Sequence, residues 1–201
     1  MLHYYNLARP CIAVSYDTST FADLKWNLQL EGVELSRIGP DEFINSTPDL
    51  DGQYINLVVR DLLQREQVSA RFDQFGVDRF TFVHSLSTIW AEQLGHGCFI
   101  YPYVGVAAGT IIGNDVIIHG HNGIGHQTTI GTGCIIGGFT MIGGSTKIGR
   151  FCHINIKTTI YDRLEICDHA IIAADSVIRK NLIESGTYAT VDSRKKTVKI
   201  K

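Results

Sequence analysis

A branched aliphatic residue recurs at every sixth position over the second half of the chain, without interruption. The fifteen positions are Leu94, Ile100, Val106, Ile112, Ile118, Ile124, Ile130, Ile136, Ile142, Ile148, Ile154, Ile160, Ile166, Ile172 and Ile178. An α-helix cannot produce this period, because 3.6 residues per turn would distribute these side chains around the whole cylinder. Short strands wound into a three-sided coil do repeat in this way, and each aliphatic then stacks on the one a full turn later. The pattern predicts five coils of three hexads each.

Two further positions of each hexad also have a preferred residue type. The residue two before the aliphatic is small or β-branched, except at Glu92, Asn122 and Leu164, and is predicted to fill a corner of the coil. These residues are Cys98, Val104, Thr110, Val116, Thr128, Cys134, Thr140, Thr146, Cys152, Thr158, Ala170 and Ser176. The residue after the aliphatic is often glycine, where a tight turn needs either a positive φ or the absence of a Cβ. These glycines are Gly95, Gly113, Gly125, Gly131, Gly137, Gly143 and Gly149.

The first ninety residues hold only four of the twenty glycines and alternate between strand and helix signals. The predicted elements are a strand at Cys11–Tyr16, a helix over Phe21–Leu30 capped by Thr20, strands at Val33–Ile38 and Tyr54–Val59, a helix from an Asp61 cap through Phe72, and a segment Phe80–His84 that leads into the coil. We expect the second helix to bury Leu62, Leu63 and Val68. This order predicts a small parallel α/β sheet.

Composition and charge exclude several classes of function. A formal net charge of −2 argues against a nucleic-acid-binding protein, which usually has a strongly basic face. The sequence shows neither a basic leader followed by an apolar run nor a stretch of about eighteen apolar residues, so we expect a cytoplasmic protein that does not span a membrane. Three of the five cysteines occupy corner positions, where packing as small apolar residues is a better interpretation than disulfides or nucleophiles.

The hexad of aliphatic, glycine, two free positions, small residue and free position resembles that of the hexapeptide-repeat acyltransferases, whose fold is a left-handed parallel β-helix. The six-residue period predicts the coil, and the resemblance implies that the coil is left-handed. A small α/β domain placed before such a coil is similar to the sugar acetyltransferases of the sialic acid O-acetyltransferase and bacillosamine N-acetyltransferase type. Val83-His84-Ser85 and Ile124-Gly125-His126 match this family's coil entry and active-site motif. The resemblance implies an acceptor-binding α/β domain over residues 1–85 and an acyltransferase β-helix with a basic C-terminal tail over residues 86–201.

The activity that the resemblance implies is acetyl transfer from acetyl-CoA to an amino or hydroxyl group of a sugar, in particular a nucleotide-linked amino sugar. The family works as a homotrimer, and no metal, nucleic acid or membrane is expected. In the family a glycine-rich loop after the first strand holds the nucleotide phosphates. Here Ser15–Ser19 contains no glycine, and Arg60 replaces a glycine after the third strand. We therefore expect an altered nucleotide site.

Acyl transfer from a thioester needs a base for the attacking group and a donor for the oxyanion that forms. His126 matches the family's catalytic histidine, and Gln127 stands where the family carries an acid that supports the imidazole. A neutral amide can orient the ring, but it stabilises the imidazolium less well. Gly144 lies eighteen residues later and matches a glycine whose backbone N–H faces the thioester oxygen.

The resemblance also implies which residues meet the two substrates. Ile156 and Ala174, together with Gly144, match positions that line the pantetheine slot of coenzyme A. His119 matches a position close to the acceptor, where the family often has asparagine. The tail from Arg179 to Lys201 carries seven basic residues, including Lys195 and Lys196, and is either a solvated end or a contact for the coenzyme A phosphates.

Two alternatives remain open from the sequence. His121 and His126 are five residues apart, the spacing of two zinc ligands in γ-class carbonic anhydrases, but a catalytic zinc site needs three protein ligands. The third would fall at Ser85, and His84 is one position out of phase. A β-helix that serves only as a non-catalytic scaffold is the second alternative, because the coil is stable without chemistry.

Overall fold

The computed structural model describes residues 11–15, 22, 25, 35–58, 61–191 and 196–200. The chain forms two compact units, residues 1–82 and 83–201. Within the described residues, none of the helices is both long and apolar enough to cross a bilayer.

The first unit is built on a parallel four-stranded sheet with the strand order β2-β1-β3-β4. Its elements are β1 (Cys11–Val14), β2 (Leu35–Ile38), α1 (Pro40–Asn45), β3 (Gln53–Asn56), α2 (Leu62–Phe75) and β4 (Asp78–Arg79). Val14, Phe43, Tyr54, Val68 and Phe72 lie in its core. The parallel α/β sheet that the sequence predicts is therefore confirmed.

Individual elements of this unit differ from the prediction. The predicted strand at Tyr54–Val59 is seen as Gln53–Asn56, and that at Val33–Ile38 as Leu35–Ile38. Positions 33, 34 and 59 lie outside the described residues. Helix α1, only six residues long and begun by a proline, was not predicted. The predicted helix Phe21–Leu30 and its cap Thr20 fall, apart from positions 22 and 25, outside the described residues.

Helix α2 begins as predicted, because the side chain of Asp61 accepts a hydrogen bond of 3.0 Å from the backbone N–H of Gln64. The prediction that it buries Leu63 is wrong, since this side chain is 66% exposed, while Leu62 is half-buried and Val68 is buried. The buried face is largely polar instead. Its polar groups include Arg65, which is fully buried and hydrogen-bonded to the strand β3 end.

The second unit is a left-handed parallel β-helix of about six turns with three flat faces. Face 1 contains β5 (Phe82–Val83), β8 (Phe99–Ile100), β11 (Ile117–Ile118), β14 (Ile135–Ile136), β17 (His153–Ile154), β20 (Ala170–Ile172), β22 (Gly186–Val191) and β23 (Lys196–Ile200). Face 2 contains β6 (Thr88–Ile89), β9 (Gly105–Val106), β12 (Gly123–Ile124), β15 (Met141–Ile142), β18 (Thr159–Ile160) and β21 (Val177–Ile178). Face 3 contains β7 (Gln93–Leu94), β10 (Ile111–Ile112), β13 (Thr129–Ile130), β16 (Lys147–Ile148) and β19 (Glu165–Ile166).

The aliphatic column forms the core of this unit, as the six-residue period predicts. Fourteen of the fifteen predicted positions are buried, and Leu94 is partly buried against them. Through the middle of the coil each aliphatic pairs with the one eighteen residues later, as Ile118 does with Ile136. The β-helix also extends beyond the predicted hexads at both ends, where Ile89 pairs with Val106 and Ala170 pairs with Gly186. These end turns are shorter than eighteen residues, so they fall out of phase with the repeat.

The glycines that follow the aliphatics are required by close packing and not by positive φ. A Cβ on Gly125 would come 2.5 Å from the backbone nitrogen of Gly144, and a Cβ on Gly143 would come 2.4 Å from that of Asp162. The left-handed conformation occurs two positions later in the hexad and is adopted mostly by other residue types, such as His121 (φ 62°). Of the two explanations that the sequence left open, the absence of a Cβ is the correct one.

Candidate active site

His126 and Gly144 lie against each other at the corner between face 2 and face 3. Gly125 and Gly143 have no side chains, so successive turns approach closely here. A Cβ placed on Gly144 would come 2.8 Å from Nε2 of His126 and 3.0 Å from both Cδ2 and Cε1. The outer end of the imidazole therefore points at the Gly144 backbone. The structure brings together the two residues that the resemblance assigns to the base and to the oxyanion donor.

The groups at this corner are available to a ligand. The imidazole of His126 is exposed. The backbone is fixed by hydrogen bonds from the Ser145 N–H to the His126 carbonyl at 2.8 Å and from the Arg163 N–H to the Gly144 carbonyl at 2.9 Å. No acceptor is recorded for the N–H of Gly144 within the part of the chain that the structure describes.

Gln127 follows His126 in the left-handed conformation, with φ of 55°. Its N–H donates to the carbonyl of Ala108 at 3.0 Å, and its Cγ lies near Gly109. Its side chain is exposed, and among the described residues no hydrogen bond joins it to the His126 ring. The nearest acidic residue up this corner, Asp162, is paired with Arg163 at 2.7 Å. An orienting role for Gln127 remains a prediction.

The other predicted substrate contacts lie at the opposite corner, between face 1 and face 2. His119 and Ile156 both line a depression of about 460 Å³ at this corner. Ala174 is exposed and follows Ile156 one turn later, and the Asp175 N–H donates to the Ile156 carbonyl at 3.0 Å. One chain therefore holds His126 and Gly144 at one edge of face 2 and the other predicted contacts at the opposite edge. The predicted coenzyme A contacts are divided in the same way, because Gly144 does not lie at the corner of Ile156 and Ala174.

Aromatic stacking orders this second corner. The rings of Tyr103, His121 and Phe139 stack with centroid separations of 4.7 Å at each step, and Tyr101 stacks on His119 at 4.8 Å. His121, one of the two residues of the zinc alternative, thus lies between two aromatic rings. No group of three histidine, cysteine or acidic side chains with metal-binding geometry is found among the described residues.

Face 2 itself carries an apolar depression between these corners. It has a volume of about 420 Å³, and its floor includes Gly105 and Gly123. Trp90 and Met141 border it and are 68% and 56% exposed. This surface was not predicted from the sequence. Its signal is visible in the hexads, because positions beside the aliphatic on face 2 carry glycine, methionine and tryptophan where a solvated face would carry polar residues.

The predicted corner cysteines are packing residues. Cys98, Cys134 and Cys152 are fully buried and form no disulfide. A hydrogen bond with Cys134 and burial together raise the pKa of the Cys152 thiol far above its ordinary value, so this thiol stays protonated.

The basic tail forms the end of face 1. Strand β22 pairs in parallel with β20 and in antiparallel with β23, and Lys199 forms a 3.1 Å ion pair with Glu184. Lys195 lies outside the described residues. The contact of this tail with coenzyme A phosphates stays a prediction.

Comparison with known proteins identifies the fold. No protein-family model matches the chain, and no curated protein sequence matches it either. Among solved structures, it is similar to the perosamine N-acetyltransferase PerB of Caulobacter crescentus, in complex with CoA and GDP-perosamine, with a TM-score of 0.75, 15% identity, and coverage of 92% of this chain and 96% of that chain. It is also similar to the acetyltransferase domain of PglB from Neisseria gonorrhoeae, with a TM-score of 0.77, 16% identity, and coverage of 90% of this chain and 97% of that chain.

The chain shares the fold of these two acetyltransferases. The match covers nearly the full length of each, so it includes the α/β unit as well as the β-helix. The predicted fold, a left-handed β-helix preceded by a small α/β domain, is confirmed.

Proposed function

We propose that this protein is an acetyltransferase that moves the acetyl group of acetyl-CoA to an amino or hydroxyl group of a sugar. The observation that carries the proposal is the contact between the exposed imidazole of His126 and the Gly144 backbone, whose N–H has no acceptor in the described structure. A base and an oxyanion donor are the two groups that thioester aminolysis needs. The structures of PerB with CoA and GDP-perosamine, and of the PglB domain with acetyl coenzyme A, support the same substrate classes.

In the proposed reaction the acceptor nitrogen or oxygen attacks the thioester carbonyl directly. His126 takes the proton that the attacking group loses, and the Gly144 N–H donates a hydrogen bond to the oxyanion of the tetrahedral intermediate. The C–S bond then breaks, and the imidazolium returns its proton to the sulfur of coenzyme A. No covalent acyl-enzyme is needed, so the net products are the acetylated sugar and free coenzyme A.

We further propose that the working enzyme is a homotrimer with each site between two chains. His126 and Gly144 are at one edge of face 2, whereas Ile156 and Ala174 are at the other, so one chain offers a ligand only half of the predicted contacts. A second copy can supply the other half. The exposed Trp90 and Met141 on face 2 support this arrangement, because an exposed apolar surface of this kind is typical of interfaces.

The acceptor is proposed to be a nucleotide-linked amino sugar, and His119 is proposed to contact it. We place the enzyme in the cytoplasm, where acetyl-CoA is supplied and where five free cysteines would remain reduced.

A transfer assay tests the proposal. Purified protein is incubated with acetyl-CoA and a panel of amino sugars, both free and linked to uridine, guanosine or thymidine diphosphate. Released thiol and the mass of the sugar are then measured together. We expect stoichiometric thiol release and acetylation with at least one sugar. Thiol release without an acetylated sugar, or no reaction with any member, would contradict the proposed function.

A further inference from the structure

Two stacks of rings run side by side along the corner between face 1 and face 2. One contains Tyr103, His121 and Phe139 on successive turns, with ring centroids 4.7 Å apart at each step. The other begins in the same way, because Tyr101 stacks on His119 at 4.8 Å with an interplanar angle of 22°. Both stacks therefore start with a tyrosine followed by a histidine one turn later.

The second stack has no third ring, because the next position is Gly137, eighteen residues after His119. The position after that is Asn155, two turns from His119. At about 4.8 Å per turn, roughly 10 Å separate these two positions along the coil. A ring midway between them would keep the spacing of the neighbouring stack. His119, Gly137 and Asn155 all line the depression of about 460 Å³, so the space over His119 is open to a ligand.

Asn122 fixes the backbone of His119. It is one of the three residues that break the pattern of small or β-branched corner residues, and it is 4% exposed. Its Nδ2 donates to the carbonyl of His119 at 2.7 Å, and its Oδ1 accepts from the N–H of Thr140 at 2.6 Å. The N–H of His119 donates to the carbonyl of Ile136 at 2.9 Å. The imidazole can therefore turn only about its side-chain torsions, and the Tyr101 ring restricts these.

We propose that Tyr101 and Asn122 are positioning residues that hold the His119 imidazole as a platform, and that the sugar ring of the acceptor stacks on this platform over Gly137. The inference rests on the proposed function for the identity of the ligand. One face of a pyranose consists of C–H bonds, which pack on an aromatic ring through dispersion and through attraction to its negative face. The sugar thus takes the third place in a stack that the protein leaves open at a glycine.

The positioning of His119 can be measured without any substrate, by NMR of full-length protein labelled with ¹³C at histidine. We expect the His119 ring protons, assigned from their loss in His119→Asn, to be shifted upfield by the ring current of Tyr101. They should return toward their ordinary position in Tyr101→Leu. In Asn122→Ala they should move the same way, because the backbone is released.

A conservative variant should restore the position. Thr158 occupies the same corner two turns after Asn122, and its Oγ1 donates to the carbonyl of Asn155 at 2.8 Å, the equivalent bond. Asn122→Thr should therefore keep the wild-type signals of His119.

Two matched controls separate this effect from general changes in the coil. Tyr103→Leu removes the equivalent ring of the neighbouring stack, which lies on His121. Thr110→Ala removes a bond of 2.7 Å from a corner side chain to the carbonyl of Ala107, three residues earlier. Both variants should leave the His119 signals unchanged.

Steady-state kinetics tests whether the platform serves the acceptor. We expect Tyr101→Leu and Asn122→Ala to raise the KM for the sugar acceptor by about threefold to tenfold, because a displaced ring loses its stacking contact. The kcat and the KM for acetyl-CoA should change by less than about twofold. Asn122→Thr and Tyr103→Leu should have wild-type constants.

Several results would overturn the inference. One is a folded Tyr101→Leu variant with the wild-type KM for the acceptor, and another is a Tyr101→Leu spectrum in which the His119 signals have not moved. A rise confined to the KM for acetyl-CoA would place coenzyme A on the ring and would also overturn it. Unfolding midpoints identify any variant that has lost its fold, and if Asn122→Ala is one, Tyr101→Leu decides the question.

Failure of this inference can be told from failure of the proposed function. Acetyl transfer by wild type, with unchanged acceptor KM in the folded variants, would remove the platform and leave the proposed function intact. A wild-type protein that transfers no acetyl group to any sugar would remove the proposed function, and the acceptor as ligand of this platform with it.

Discussion

The imidazole of His126 occupies the space where Gly144 would carry a side chain. A Cβ at position 144 would come 2.8 Å from Nε2 of His126, closer than such atoms approach in proteins. The glycine therefore serves the candidate site in two ways, by admitting the ring and by presenting a backbone N–H beside it. Replacing it with the smallest side chain tests both.

Gly144→Ala is expected to lower kcat by about tenfold to a hundredfold, because the new methyl group must displace the imidazole from the position facing the thioester. The KM for acetyl-CoA should change much less than kcat. Steady-state kinetics with both substrates varied measures kcat and KM separately, and circular dichroism verifies that the β-helix is intact. An unchanged kcat in a folded variant would show that Gly144 has no role in the reaction.

Gly131→Ala probes the close approach of successive turns away from the candidate site. Its Cβ would come 2.7 Å from the backbone of Gly149, whereas a Cβ on Gly105 would have no atom nearer than 4.0 Å. We expect Gly131→Ala to lower the free energy of unfolding by about 1–3 kcal/mol through overpacking, and Gly105→Ala to lower it by less than about 0.5 kcal/mol. Chemical denaturation measures both. Equal stabilities would mean that the turns can move apart at no cost.

Met141→Glu tests whether face 2 is an interface between copies. A buried carboxylate in an apolar contact is strongly unfavourable, so this variant should dissociate into monomers and lose activity. Thr129→Glu is the matched control, because Thr129 is exposed on face 3. Sedimentation velocity reports the mass of each variant. A Met141→Glu protein with the same mass as wild type would exclude face 2 from the interface.

The stability of the β-helix should depend on the ionisation of Asp168. Burial would raise the pKa of this carboxyl, but hydrogen bonds from the backbone and guanidinium of Arg150, with the charges of Arg150 and His169, hold it below its ordinary value of 3.8. A lowered folded-state pKa stabilises the protein above the unfolded value, and the contribution is lost as the pH falls through the folded value. Both partners are partly exposed, so the effect should be less than about 1 kcal/mol.

Asp168→Asn should therefore be less stable than wild type at pH 7, and the difference should shrink below about pH 3.8. Urea denaturation of both proteins across this range measures it. A difference that is constant with pH would assign the effect to packing and not to charge.

Much of the β-helix could be predicted from the sequence because its core repeats. Each isoleucine of the column has the same environment as the one a turn away, so a six-residue period specifies both strand and face. The end turns were not predicted, because they do not keep the six-residue period. Ile89 packs against the core, yet it lies five residues before Leu94 and not six. The repeat is a property of the middle turns only.

The α/β unit was harder to predict because its buried groups are partly polar. Helix α2 leaves Leu63 exposed and buries Arg65, whose guanidinium is hydrogen-bonded to carbonyls at the end of β3. Hydropathy cannot anticipate a buried arginine, because its burial depends on partners that only the tertiary structure supplies. The contact between His126 and Gly144 was predictable from their separation by one turn. That His119 and Ile156 lie at a different corner from His126 became evident only from the structure.

His126 is the proposed base of the acetyl transfer, and the proposed function depends on it more than on any other residue. The decisive measurement compares wild type, His126→Ala and His126→Gln in the coupled assay of thiol release and sugar mass, with His96→Ala, another exposed histidine of the β-helix, as the control. We predict that both His126 variants fold normally and lose about a hundredfold or more in kcat, while His96→Ala keeps wild-type turnover. Acetylation by His126→Ala at the wild-type rate would contradict the account.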